Sequence, residues 1–185
     1  MPNQADTVFE IGSVTKSFTA VAVLKLQDQG KLKVTDPLSK YLPTFPNAAN
    51  ITVQQLLSHT SGVANFTSLP TFFELQKQAL SPDQIIKLFR NLPPSFAPGK
   101  DHYYSNSNYV LLGKVIELAS GRSYVTYLQK NVLDPLGYRS TRAYSRLNLI
   151  PRRASGYLLD GTDYRLPEAH NFGFWQLNRS RLNPL

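Results

Sequence analysis

The sequence predicts a helix-dominated domain with few strands. Three observations carry that expectation. Residues 13–29, "SVTKSFTAVAVLKLQDQ", place Val14, Phe18, Val21 and Leu24 or Lys25 at helical spacing, and Gly30 follows as a C-terminal stop. Ser81-Pro82-Asp83-Gln84 supplies a capping serine, a proline at the first helical position and a glutamine at the third. "YVLLGKVIELAS", residues 109–120, is the strongest helical pattern in the chain, and Gly121 closes it.

The remaining elements follow in order. After the first helix, "KLKVTDPLSKYLPTFPN" is rich in proline and turn residues and reads as an extended loop. Thr52 caps a short helix, "VQQLLSH", that ends by Gly62. Residues 63–80 are ambiguous. The helix "DQIIKLFRNL" stops at Pro93-Pro94, and "FAPGKDHYYSNSN" is a loop by its Pro, Gly and Asn content. A further helix, "YVTYLQKNVL", stops at Asp134-Pro135. Beyond Gly137 only short extended pieces around "SGYLLDG" can be placed, and "HNFGFWQLNRSRLNPL" shows no clear period.

Composition excludes several function classes. A chain of 185 residues with 42% hydrophobic and 17% charged residues suits one globular domain. No apolar run approaches the roughly 18 residues of a membrane helix, so no membrane span is expected. "MPNQADTVFE" has neither a basic start nor an apolar centre, so it carries no export signal, and the compartment stays unassigned. The absence of cysteine excludes disulfides, thiolate metal sites and a cysteine nucleophile. His59, His102 and His170 are scattered without ligand spacing, so neither a metal nor an organic cofactor is implied.

The net charge of +8 is uneven. Residues 1–138 hold ten Lys, two Arg and nine acids (12 − 9 = +3), whereas residues 139–185 hold eight Arg, no Lys and three acids (8 − 3 = +5). No helix-turn-helix or RNP-type signature accompanies the arginines, so a solvated tail is expected and a nucleic-acid partner is not.

The chemistry centres on "FEIGSVTKSF". Ser13 and Lys16 are three residues apart and therefore share a helix face. Ser13 stands at the helix N-terminus, where the dipole stabilises negative charge developing on its Oγ. An ammonium must lose its proton before it can act as a base, and burial, the helix end or a cationic neighbour each favours that loss. A serine activated by a nearby amine is an established form of nucleophilic catalysis. Spacing alone equally describes a capping serine beside an exposed lysine.

Context adds a family. "TVFEIGSVTKSFTAVAVLKLQDQGKLKVTDPLSKYLP" resembles the serine β-lactamase and penicillin-binding-protein superfamily, and looks most like its class C β-lactamase, D-alanyl-D-alanine carboxypeptidase and esterase branch. "ITVQQLLSHTSGV", "FAPGKDHYYSNSNYVLLGKVIELASG" and "YLQKNVLDPLGYRST" extend the resemblance in order over about residues 5–160. It implies an acyl-enzyme serine hydrolase acting on a small molecule or peptide with an amide, lactam or ester carbonyl, without a cofactor. Carried onto this chain, Ser13 is the nucleophile and Lys16 the general base. The Y-x-N motif is Tyr104-Ser105-Asn106, with Tyr104 as general acid or base and Asn106 as the positioning amide. Tyr103 lacks an Asn two residues on and is the lesser candidate. His59 reads either as a base or as a hydrogen-bonded structural histidine.

The implied fold is a helix-dominated fragment of the α/β (α+β) β-lactamase/transpeptidase-like fold with most of the antiparallel sheet missing. Residues 1–160 form a partial domain, mostly its helical part. Residues 161–185 form a divergent Arg-rich tail, expected to be irregular. The family's third motif, K-T-G or H-x-G on a wall strand, has no counterpart: "HNFGF" sets Gly three residues after His. That strand supplies an oxyanion-hole donor, and one missing donor costs about two to three orders of magnitude in rate. Two functional expectations follow. One is an acyl-transferring serine hydrolase. The other is a non-catalytic remnant that at most binds a partner. Without the sheet, the apolar face of the first helix is expected to be uncovered.

Overall fold

The structure is a computed structural model. It describes residues 2–75, 78–138, 140–144, 150–160, 163–165 and 176–179, with 143–144, 158–160, 163–165 and 176–179 described through their backbone. A short strand, β1 (Phe9–Glu10), leads into a 3-10 turn, Gly12–Val14, and directly into α1 (Thr15–Asp28). The loop that follows contains 3-10 turns at Leu38–Lys40 and Ala48–Asn50. Then come α2 (Val53–Leu57), a 3-10 turn at Phe66–Ser68, α3 (Phe72–Leu75) and α4 (Pro82–Phe89). The longest helix, α5 (Asn106–Ser120), is followed by α6 (Tyr124–Leu128), which runs into a π-helical stretch, Gln129–Leu133, and a 3-10 turn, Asp134–Leu136.

The helix starts follow their local chemistry. Thr52 and Ser81 each accept the N–H of the residue three on, and Gln55 and Gln84 return the bond to the capping residue's own N–H. Both are complete capping boxes, each satisfying two otherwise orphaned donors. α5 starts three residues earlier than its apolar pattern, so Asn106 lies in its first turn.

α5 is the axis of the core. Its Val110, Leu111, Leu112, Val115 and Ile116 are all buried, and α1, α2, α4 and α6 pack around them. Burying side chains of this size contributes about 1.5–3 kcal/mol each. Phe89 of α4 meets Phe45 and Phe66, each at 6.2 Å between ring centres. Lys114 ties α5 to α4 through Asp83 at 3.1 Å and lies 3.5 Å from Glu117 on its own helix. Thr19 of α1 and Tyr124 of α6 share a buried hydroxyl–hydroxyl bond of 2.7 Å. Burial pushes the Tyr124 phenol up to about 12.

The apolar stripe of α1 is uncovered, as expected from the sequence. The stripe taken from spacing is the helix's outer side, with Val14 58%, Val21 45% and Leu24 47% exposed. The face against the core is Thr15, Thr19, Ala22, Val23 and Leu26. Three of these five, Thr15, Thr19 and Ala22, are small, and this is the side on which α1 packs against α5. Phe18 lies between the two faces and meets Tyr138 edge to face at 6.3 Å.

The strands are few. β2 (Thr141–Tyr144), β3 (Leu158–Asp160), β4 (Asp163–Arg165) and β5 (Gln176–Arg179) complete the set among the described residues. β5 lies between β1 and β2 and is antiparallel to both, pairing Phe9 with Arg179 and Thr141 with Arg179. β3 and β4 form an antiparallel pair of their own. Strand pairs at 163–165 and 176–179 therefore fall in the stretch expected to be irregular; their backbone pairing is set by partners more than 130 residues away in the case of β1, which local pattern does not reveal. "HNFGF" at 170–174 lies outside the described residues.

Candidate active site

Two segments far apart in sequence build the site. The first is the 3-10 turn and opening turn of α1, carrying Ser13 and Lys16. The second is the loop into α5, carrying Tyr104 and, in the first helical turn, Asn106. The loop is held by segment 59–62. Ser95 N–H donates to Gly62 O (2.8 Å), Gly99 N–H to Thr60 O (2.7 Å) and Tyr103 N–H to His59 O (3.0 Å).

All four sequence-predicted residues come together. Ser13 Oγ and Tyr104 Oη are 2.8 Å apart. Lys16 Nζ donates to Ser13 Oγ at 3.1 Å and to Asn106 Oδ1 at 2.8 Å. It also lies 4.8 Å from the centre of the Tyr104 ring and 5.5 Å from that of Tyr109, within cation–π range. Ser13 is exposed and Lys16 half-buried. Burial alone would raise the Tyr104 phenol. Hydrogen bonds to Lys16 and Ser13 and the Lys16 charge outweigh it, holding the phenol below the ordinary tyrosine range. Tyr103 is not part of the cluster through its backbone, which goes to His59.

A further layer escaped the sequence reading. Asn106 donates from Nδ2 to Thr67 Oγ1 at 3.0 Å and from its backbone N–H to Asn65 Oδ1 at 3.1 Å. Thr67 Oγ1 in turn donates to Asn65 Oδ1 at 3.0 Å. With Nδ2 committed to Thr67, Asn106 Oδ1 is turned towards Lys16, so the amide orientation follows from its partners. Asn65 and Thr67 lie in the ambiguous stretch 63–80, and nothing in their spacing marks them.

His59 sits behind the cluster. Its Nδ1 accepts the Ser105 N–H at 3.2 Å, and its ring lies 4.6 Å from that of Tyr104 and 5.3 Å from that of Tyr109. Burial, then the charges of Lys16 and His102, lower its pKa. Among the described residues no cluster of His, Cys, Asp or Glu is arranged to hold a metal, and no helix is long and apolar enough to cross a membrane.

The helical body thus carries a polar cluster in which an amine and a phenol, rather than an imidazole, stand beside a serine hydroxyl. Comparison with known proteins names the family. The beta-lactamase family model matches residues 1–173, and the chain belongs to that family. Penicillin-binding protein 4* of Bacillus subtilis (strain 168) is 35% identical over 177 residues, covering 90% of this chain and 38% of that protein. Teichoic acid D-alanine hydrolase of Staphylococcus aureus is 31% identical over 160 residues, covering 86% and 38%. A solved D-stereospecific amidohydrolase from Streptomyces sp. superposes with a TM-score of 0.86 at 29% identity, covering 96% of this chain and 58% of that one. The chain thus spans about two fifths of the length of these curated relatives.

Proposed function

We propose that this chain carries the nucleophile half of an acyl-transferring serine hydrolase. The observation that carries the reading is the placement of Ser13 Oγ within 2.8 Å of Tyr104 Oη and 3.1 Å of Lys16 Nζ. Ser13 Oγ attacks the substrate carbonyl and forms the C–O bond. Its proton passes into the Lys16–Tyr104 pair. In the reactive form the two groups together hold one proton fewer than ammonium plus phenol, with Lys16 as the base of the pair and Tyr104 relaying the proton. Collapse of the tetrahedral species breaks the bond to the leaving group, which takes that proton back from Tyr104. Water then hydrolyses the Ser13 ester by the same groups in reverse. Asn106 fixes Lys16 and offers an amide to the substrate.

The substrate class is an amide, lactam or ester carbonyl. Within it, a D-alanyl ester or D-amino-acid amide is favoured by relatives whose names specify D-alanine hydrolysis and D-stereospecific amide hydrolysis. A second reading, a non-catalytic binding remnant, draws on the outer face of α1, where Val14, Val21 and Leu24 are exposed.

Intact-mass measurement separates the two. The chain is incubated with a fluorescent penicillin or an acylating phosphonate. An adduct present in the wild type and absent in Ser13→Ala supports acyl transfer. A folded sample that never gains the adduct sinks it and leaves the binding reading.

A further inference from the structure

His59 holds the segment that bears Tyr104 from both sides. Its carbonyl oxygen accepts the N–H of Tyr103 at 3.0 Å, and its Nδ1 accepts the N–H of Ser105 at 3.2 Å. The two bonds straddle Tyr104, and the imidazole lies against the Tyr104 ring between them. His59 adopts a left-handed backbone, φ 60°, which costs energy for a residue with a Cβ and persists only where surrounding contacts enforce it. That backbone turns one residue's carbonyl and side chain towards the same segment.

The partners also fix the tautomer. Asn108 Nδ2 lies 3.4 Å from His59 Nδ1. The Asn108 amide is oriented by Ser61, whose hydroxyl donates to Asn108 Oδ1 at 2.8 Å while accepting the Val63 N–H at 3.1 Å. Both groups facing Nδ1, the Ser105 N–H and the Asn108 amide, are therefore donors. Nδ1 must be the bare acceptor, and the neutral ring carries its proton on Nε2.

We propose that His59 is a positioning residue for Tyr104, holding residues 103–105 through a neutral imidazole whose Nδ1 accepts the Ser105 N–H. The role rests on the acyl-transfer reading for its catalytic meaning, though not for its geometry. Protonation turns Nδ1 into a donor aimed at two donors, so the clamp is intact only while His59 is neutral. The titratable groups facing it are Lys16 from α1, His102 and Tyr104 from the loop and Tyr109 from α5. Burial and then the Lys16 and His102 charges favour the neutral ring. Acidification below the ordinary histidine range then releases Ser105 and loosens Tyr104.

The test uses the full chain, two variants and NMR. His59→Asn keeps an acceptor near the Nδ1 position and tolerates positive φ; His59→Phe keeps an aromatic ring but no acceptor. Long-range 1H–15N spectra of the wild type are expected to show the Nε2–H tautomer at pH 7.5. The Ser105 amide is expected to shift with His59 titration in the wild type and not in His59→Asn. With 13Cζ-labelled tyrosine, the Tyr104 titration is expected to stay low in His59→Asn and move upward in His59→Phe. Acylation is expected to fall about tenfold in His59→Phe, chiefly in kcat, and the acid limb of its pH profile to disappear in His59→Asn. An Nδ1–H tautomer, or a Tyr104 titration unchanged in folded His59→Phe, overturns the proposal. Absence of any acylation overturns the acyl-transfer reading instead, while the three NMR measurements still decide the clamp.

Discussion

Gly62 is where packing against the site-bearing loop is tightest, and Gly62→Ala tests that packing. Gly62 has φ 73°, and a Cβ placed on it falls 2.0 Å from Phe96 O and 3.0 Å from Phe96 C. Both are backbone atoms, so no side chain can swing aside. Gly121 has nearly the same backbone, φ 68°, and a Cβ there meets nothing within 4 Å. The left-handed conformation costs an alanine about 1–2 kcal/mol at either position. At Gly62 the 95–99 backbone must also retreat by about 1 Å, an overpacking shift worth about 1–3 kcal/mol more. That retreat strains the Ser95–Gly62 and Gly99–Thr60 bonds that lead the chain to Tyr104. The expected loss is about 2–5 kcal/mol for Gly62→Ala and about 1–2 for Gly121→Ala. At about 2–4 °C per kcal/mol for a chain of this length, Tm falls by about 10 °C and about 4 °C respectively. Thermal unfolding followed by circular dichroism reads both. If the two variants unfold together, the close approach at Phe96 does not constrain the loop and the reasoning is wrong.

Further outcomes follow from the site and its surroundings. Lys16→Met removes the donor to Ser13 and Asn106 and the charge that lowers the Tyr104 phenol. Acylation followed by intact mass is expected to slow about 10²–10⁴-fold, and the Tyr104 titration to move upward. Thr67→Val keeps the shape but removes the acceptor of Asn106 Nδ2. One lost hydrogen bond of about 1 kcal/mol corresponds to about a fivefold slower acylation, with the KM left nearly unchanged. Asp36 gives an acid dependence. Burial would raise its carboxyl, but hydrogen bonds from Lys40, the Lys33 N–H and Tyr41, with the Lys40 charge, hold it at about 2 against an ordinary 3.8. A depressed carboxyl stabilises the fold above its unfolded pKa, and that contribution is lost as pH falls from about 4 to about 2. Lys40 is half exposed, so solvent screening limits the contribution to about 1–2 kcal/mol. In urea titrations Asp36→Asn is expected to be weaker than wild type by that amount at pH 7 and equal to it near pH 2.

The parts of this molecule that were legible in the sequence are those whose physics is local. Thr52 with Gln55 and Ser81 with Gln84 announce their capping boxes because each pair closes its bonds within four residues. Ser13–Lys16 and Tyr104–Asn106 are legible only as two separate pairs, joined by family resemblance. The bond between them spans 91 residues, a separation that no periodicity reports. The inner face of α1 went unread for a different reason. The helix is apolar on two sides, and hydrophobicity ranks Val14, Val21 and Leu24 above Ala22 and Thr19, whereas close helix contact selects for small size. β1 was invisible because its two paired residues carry no alternation to detect. Asn65 and Thr67 gain their role only once the 65–68 turn has folded against the start of α5. His59 lies between these cases. Its residue type was visible, and both roles considered for it were reasonable, but the choice depends on a tautomer. That tautomer is set by Ser61 acting through Asn108, a relay of side chains 47 residues apart, and so the property that fits His59 to hold Tyr104 belongs to the fold rather than to any stretch of sequence.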